Sequence, residues 1–189
     1  VGWARCGARA RAGVSLSPRD SLAGALFAAA MRVDSLGQLD EALAGFRRAL
    51  RQATVVQDSQ TLGDAWHNGG VTHWTRANYD SALVWLQQAQ RFREFSGDRA
   101  AYGRTMNTLG SSYYQLGQYG PALEAFFRSL TVWNQAHDSV GVVRTLTNIG
   151  KTFHDWGQLD KAQQELKDAE ALARKLPGRH APLGYALNS

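Results

Sequence analysis

The sequence predicts an all-α chain, a solenoid of four antiparallel helix pairs. One short stretch recurs at constant spacing. Gly37-Gln38-Leu39-Asp40-Glu41-Ala42-Leu43 returns forty residues later as Ala77-Asn78-Tyr79-Asp80-Ser81-Ala82-Leu83. It returns again as Gly117-Gln118-Tyr119-Gly120-Pro121-Ala122-Leu123 and as Gly157-Gln158-Leu159-Asp160-Lys161-Ala162-Gln163. Copies at one period with no insertion between them mark a repeat architecture. The apolar spacing between copies is helical. Met106, Leu109, Gly110 and Tyr113 fall at i, i+3, i+4 and i+7, as do Leu146, Ile149, Gly150 and Phe153. That spacing defines one face of a helix.

Taken in order, residues 1–17 show no clean period and read as a basic linker or tail, or as the remnant of an earlier helix. The chain opens on Val1 rather than methionine and is expected to begin within a longer one or after processing. Its first residues are too polar for the apolar core of a secretion signal. Ser17-Pro18 reads as a helix start, because serine accepts from free N–H groups and proline suits the first turn. The first helix is expected to run to about Leu36, where Gly37 breaks it, and a second to run from Leu39 to about Val56. Asp58, Asp98 and Asp138 share one position, where a carboxylate can cap the next helix.

The repeats are therefore bounded at residues 18–57, 58–97, 98–137 and 138–176. Second helices such as Tyr119, Ala122, Leu123, Phe126, Phe127, Leu130 and Trp133 carry a wide apolar stripe, enough to touch their own partner and the next repeat. Gly110 and Gly150 are expected to face Ala122 and Ala162, since a helical glycine costs about 1 kcal/mol against alanine and needs a close contact to offset it. The adjacent Gly69-Gly70 and His73 make the first helix of the second repeat the expected soft one. Pro177-Gly178 stops the last helix. Residues 177–189 then hold a turn and what reads as the start of a further repeat, with Leu187-Asn188-Ser189 like Met106-Asn107-Thr108. An array cut there is expected to expose an apolar end and to favour pairing of two copies through the solenoid ends.

The set Leu109-Gly110, Tyr113, Gly117, Tyr119, Ala122 and Phe126 resembles the tetratricopeptide repeat signature, over roughly residues 18–176. The resemblance implies a right-handed superhelix. The period is longer than the family's usual one and is similar to the long-helix variant of bacterial regulators and some eukaryotic scaffold proteins. Ala30 and Val33 stand where the family prefers glycine and an aromatic, so the first repeat reads as degenerate.

Composition narrows the function. Over 189 residues, 44% are hydrophobic, and no run is long and apolar enough to span a bilayer. The formal charge is +5, but Arg5, Arg9, Arg11 and Arg19 all precede the first acid, Asp20, so the repeats are close to neutral. No nucleic-acid or membrane partner is expected. Cys6 is the only cysteine, which excludes an internal disulfide and thiolate clusters. The histidines lack metal-ligand spacing, and no phosphate loop or nucleophile elbow is present. His154-Asp155 has no second catalytic group beside it. No catalytic residue, metal or cofactor is expected, and the chain is not read as an enzyme.

In the resembled family the inner groove, lined by first helices, binds peptides. That register offers Asn68 from the second repeat, with Asp64, His67, Val71 and Trp74 around it. It offers Arg104, Asn107, Thr108, Ser111, Tyr114 and Gln115 from the third. The fourth gives Arg144, Thr147, Asn148, Lys151, His154 and Asp155. Arginine can fork onto a carboxylate, and asparagine can donate to and accept from a peptide backbone at once. The expected partner is a protein or peptide that is acidic or ends in a carboxylate. The expected role is the regulatory or sensory array of a larger, cytoplasmic, bacterial signalling protein. The alternatives are a spacer or dimerisation module, and the non-catalytic part of a larger enzyme.

Overall fold

The computed structural model describes residues 21–176. Among them lie eight helices and no strand: α1 (Leu22–Ser35), α2 (Leu39–Val55), α3 (Ser59–Thr75), α4 (Tyr79–Glu94), α5 (Arg99–Gln115), α6 (Tyr119–Gln135), α7 (Ser139–Asp155) and α8 (Leu159–Ala173). Each odd helix packs on the even helix that follows, and each even helix on the next odd one. None of these helices is long and apolar enough to cross a membrane. The all-α solenoid of helix pairs is thus the observed architecture.

The caps follow the sequence closely. Asp58, Asp98 and Asp138 accept from the N–H of Thr61, Ala101 and Gly141 at 3.0, 2.9 and 2.9 Å. Each satisfies a donor that the first helical turn leaves free. Ser17 and Pro18 lie outside the described residues, as do the basic tail and residues 177–189. α1 itself begins at Leu22, and the Ser21 hydroxyl oxygen accepts from Gly24 N–H at 3.0 Å. Between the helices of a pair the backbone turns through the left-handed region at Gly117, φ 69°. The next N–H, of Gln118, then donates to the carbonyl of Tyr113 at 2.9 Å and closes the helix end. In the second pair Ala77 takes the same conformation, φ 56°, without glycine's freedom.

The glycines inside the helices make the expected close approach, and a large side chain closes each one. A Cβ on Gly110 would stand 2.6 Å from two ring carbons of Phe126, which shares a face of α6 with Ala122. On Gly150 it would meet Leu166 Cγ at 2.7 Å and the Ala162 carbonyl oxygen at 3.4 Å. Gly69 and Gly70 lie beneath Trp85 and Leu86 in the same way. These glycines accept one large side chain from the partner helix, and at Gly70 and Gly150 the carbonyl of a facing alanine, Ala82 or Ala162, lies 3.4 Å away as well. In the first pair the arrangement is reversed: Ala30 stands on α1, and the glycine, Gly45, stands opposite it on α2.

Buried clusters fill the seams. One joins Phe46, Leu50, Leu62 and Trp85; another joins Leu123, Phe126, Ile149 and Phe153. Buried hydroxyls are satisfied within the helices: Thr105, Thr145 and Thr152 donate to the carbonyls of Ala101, Gly141 and Asn148. Ser129 instead crosses from α6 to the Gly103 carbonyl of α5 at 2.9 Å.

Curvature sets the position of the functional face. The odd helices also touch one another, α1 with α3, α3 with α5 and α5 with α7, whereas the even helices form no comparable packing. The odd helices therefore line the narrow, inner side of the superhelix. At the far end, α8 differs from the other even helices. It carries Gln163, Lys167 and Glu170 where α6 has Leu123, Phe127 and Leu130. Leu172 is half-buried against the cluster of Val132, Trp133 and Leu146. The forward face of α8 is thus more polar than the apolar end expected from the sequence. Leu159 and part of Leu166 remain exposed on it.

Candidate peptide-binding groove

Three odd helices present the residues singled out from the sequence, and the structure divides them into two regions. On α3 the surface is closed and neutral. Arg93, only 5% exposed, rises from α4 and donates to the Asp64 carboxylate at 2.6 Å. Its other terminal nitrogen donates to Thr105 Oγ1 at 2.7 Å and to the Ala101 carbonyl at 2.9 Å. Burial lowers the guanidinium pKa, and the Asp64 charge opposes that shift. Thr105 also contacts His67 Nδ1 at 3.2 Å. With the hydroxyl proton on Ala101, the imidazole donates, so Nδ1 carries the proton of a neutral ring. Burial, reinforced by Arg93 and Arg104, pulls the His67 pKa down to about 3. Asn68 donates to the carbonyl of Asp64 in its own helix at 2.8 Å.

α5 and α7 form the open, cationic region. Arg104, Arg144 and Lys151 are exposed. Among the described residues none of the three forms an ion pair. Between them the amide nitrogen of Asn148 donates to Asn107 Oδ1 at 3.1 Å. That single bond leaves the Asn107 amide hydrogens and the Asn148 carbonyl oxygen available. Thr108, Ser111 and Thr147 turn their hydroxyl protons onto their own helices, to Arg104, Asn107 and Val143. They keep only acceptor capacity toward a ligand.

Toward the helix ends, Tyr114 donates to Asp155 across the α5–α7 seam, and His154 Nδ1 lies 2.8 Å from the same carboxylate. These hydrogen bonds, from Tyr114 first, hold the Asp155 carboxyl below its ordinary range. Burial and the bond to Asp155 push the Tyr114 hydroxyl up. Lys151 stands 5.3 Å over the Tyr114 ring, a cation–π contact. The ring series continues along the edge, Tyr114 to Tyr119 at 6.1 Å and Tyr119 to the exposed Trp156 at 6.2 Å.

The structure thus gathers Arg104, Asn107, Thr108, Ser111, Tyr114, Arg144, Thr147, Asn148, Lys151 and His154 on the inner faces of two neighbouring helices. Asn68 stands apart on α3. The sequence reading missed Arg93. Its signal was a charged residue in a column otherwise occupied by Ala53, Trp133 and Ala173. Among the described residues no group of histidine, cysteine and acids could hold a metal.

Residues 102–175 match the family model of the tetratricopeptide repeat. Over those residues the chain carries tetratricopeptide repeats. No curated protein matches the sequence. Among solved structures it is similar to BtubC (BKLC) from P. vanneervenii, with a TM-score of 0.77 at 20% identity, covering 87% of this chain and 67% of that one. The apo form of RapI gives a TM-score of 0.76 at 18% identity, over 87% of this chain and 45% of that one. A putative kinesin light chain from Podosopora anserina with nearly identical TPR-like repeats gives 0.68 at 15%, covering 84% and 78%. At these identities the likeness is one of fold. The tetratricopeptide-repeat fold is in general a scaffold for protein–protein interaction.

Proposed function

We propose that this tetratricopeptide-repeat chain binds an acidic segment of a protein partner across the inner faces of α5 and α7. It would act as the sensory or regulatory array of a larger signalling protein. The observation that carries this reading is the set of three unpaired cations, Arg104, Arg144 and Lys151, around the Asn107–Asn148 pair. A carboxylate, from a side chain or a chain end, meets two guanidinium forks there, and an extended backbone meets the asparagines. Arg93 neutralises the one acid on α3 that would repel such a ligand. Charge complementarity of this kind sets partner choice and association rate more than affinity.

The test is capture of acidic peptides by the wild type and by the Arg104→Glu/Arg144→Glu variant. Captured peptide should be lost in the variant while helicity, read by circular dichroism, is unchanged. Equal capture by both proteins would remove the groove from consideration.

A further inference from the structure

We propose that α3 is an acid-sensitive joint of the array: protonation of two of its histidines, the half-buried His67 and the buried His73, loosens its seams with α2 and α5. His73 carries the first observation. Both its ring nitrogens are buried, and neither has a hydrogen-bond partner. Its ring lies 5.5 Å from that of Trp85, and the Arg47 guanidinium lies 5.8 Å over the same indole. In the other pairs this column holds Val33, Tyr113 and Phe153, so the packing there is that of an apolar side chain. An imidazolium would have no acceptor for either proton and would remain desolvated.

The charged groups around each ring reinforce this. His73 faces Arg47 from α2 and Arg76 at the end of α3. Asp40 of α2 is bound by Arg76, and Asp34 of α1 accepts from the Thr72 hydroxyl at 2.8 Å. From α4 it meets the Trp85 ring. His67 faces Arg93 from α4 and Arg104 from α5, while Asp64 is held by Arg93. At both places the neighbouring cations lack a counter-charge to spare, and burial with these arginines lowers both imidazole pKa values. An opened α3 would let both rings bind protons with their ordinary midpoint near 6.5.

The joint is therefore closed above pH about 7.5 and loosens as pH falls through 6.5, where the opened state binds protons that the closed state refuses. Opening gains roughly tenfold per pH unit below 6.5 for each histidine. Gly69-Gly70, both poor helix formers, lie between the two histidines and weaken the released segment further. His67 also lies in the column that Asn107 and Thr147 continue along the groove, so the joint reaches the inner face.

Hydrogen exchange, corrected for intrinsic rates and compared at pH 7.5 and 5.5, tests this on the intact chain. Protection across α3 should fall on the order of 100-fold while α7 keeps its own. The variants borrow residues from the same columns: His67→Asn and His73→Phe, with His73→Tyr as a second choice. Each should remove about one tenfold step, and the pair should flatten the response. Histidine NMR should show His67 and His73 remaining neutral down to pH 5.5. Equal pH dependence in α3 and α7 overturns the proposal. So does ordinary titration of His67 and His73, or a double variant as acid-sensitive as the wild type.

Discussion

Arg93 of α4 reaches Asp64 of α3 at 2.6 Å from a position that the other even helices give to alanine or tryptophan. The pair crosses a seam that is otherwise apolar, and Arg93 goes on to bind Thr105 and the Ala101 carbonyl. Removing Asp64 leaves Arg93 buried without its counter-charge, whereas Asp64 itself is 32% exposed. Asp64→Ala is expected to destabilise the chain by about 3–5 kcal/mol, since a buried charge stripped of its partner costs far more than the pair contributes. Replacing both, Arg93→Met with Asp64→Leu, should recover most of that loss. Urea unfolding of the two variants separates desolvation from attraction.

Gly110 and Ala77 make an opposed pair of tests. Gly110→Ala drives a methyl group toward the Phe126 ring and should cost about 1–3 kcal/mol by overpacking. Ala77→Gly relieves a left-handed alanine at a helix end and should stabilise by roughly 1 kcal/mol. Thermal unfolding midpoints moving in opposite directions would bear out both assignments.

Asp98→Ala removes the acceptor for Ala101 N–H at the start of α5. A loss of about 1 kcal/mol is expected, with Asp98→Asn or Asp98→Ser retaining most of the cap. Equal losses from all three substitutions would mean that the carboxylate acts otherwise than as a cap.

Tyr114 and Asp155 couple the third and fourth helix pairs. Asp155 has its carboxyl pKa held down by Tyr114 and His154, so its contribution is present above the ordinary carboxylate range and fades as pH falls through the lowered value. Tyr114→Phe should make this acid-side loss shallower, and Asp155→Asn should remove it. The stability of the double variant, measured from pH 6 down to pH 2, should show the two effects to be non-additive.

Binding through Arg104, Arg144 and Lys151 should weaken as salt rises, because exposed charges are screened within about 8–10 Å at ordinary ionic strength. Peptide titrations at low and high salt check this. A salt-independent affinity would point instead to the aromatic edge of Tyr114, Tyr119 and Trp156.

Much of the fold was legible because a repeat states each structural demand several times. The aspartate caps and the glycine turns recur at one spacing, so each copy corroborates the others. The side chain that closes on each glycine was less legible. Spacing put Gly110 opposite Ala122, and the nearest group to it is Phe126, one turn further along the same face of α6. Arg93 escaped notice because its partners lie on two other helices, and no local pattern encodes such a contact. The cationic groove was visible as a column of residues, but its limit at α3 depended on Arg93.

The inner side of the array is also where successive odd helices are fastened to each other. Thr72 to Asp34, His67 to Thr105, Asn148 to Asn107 and Tyr114 to Asp155 each join one odd helix to the next. The even helices have no comparable packing on one another. The solenoid therefore behaves as a spring wound on its inner radius. Tension that straightens it falls first on these four fastenings, and a ligand seated among them feels the bend of the whole coil. If the groove holds a ligand as proposed, grip and curvature become one mechanical variable, and a pull on either end of the array would change what the groove holds.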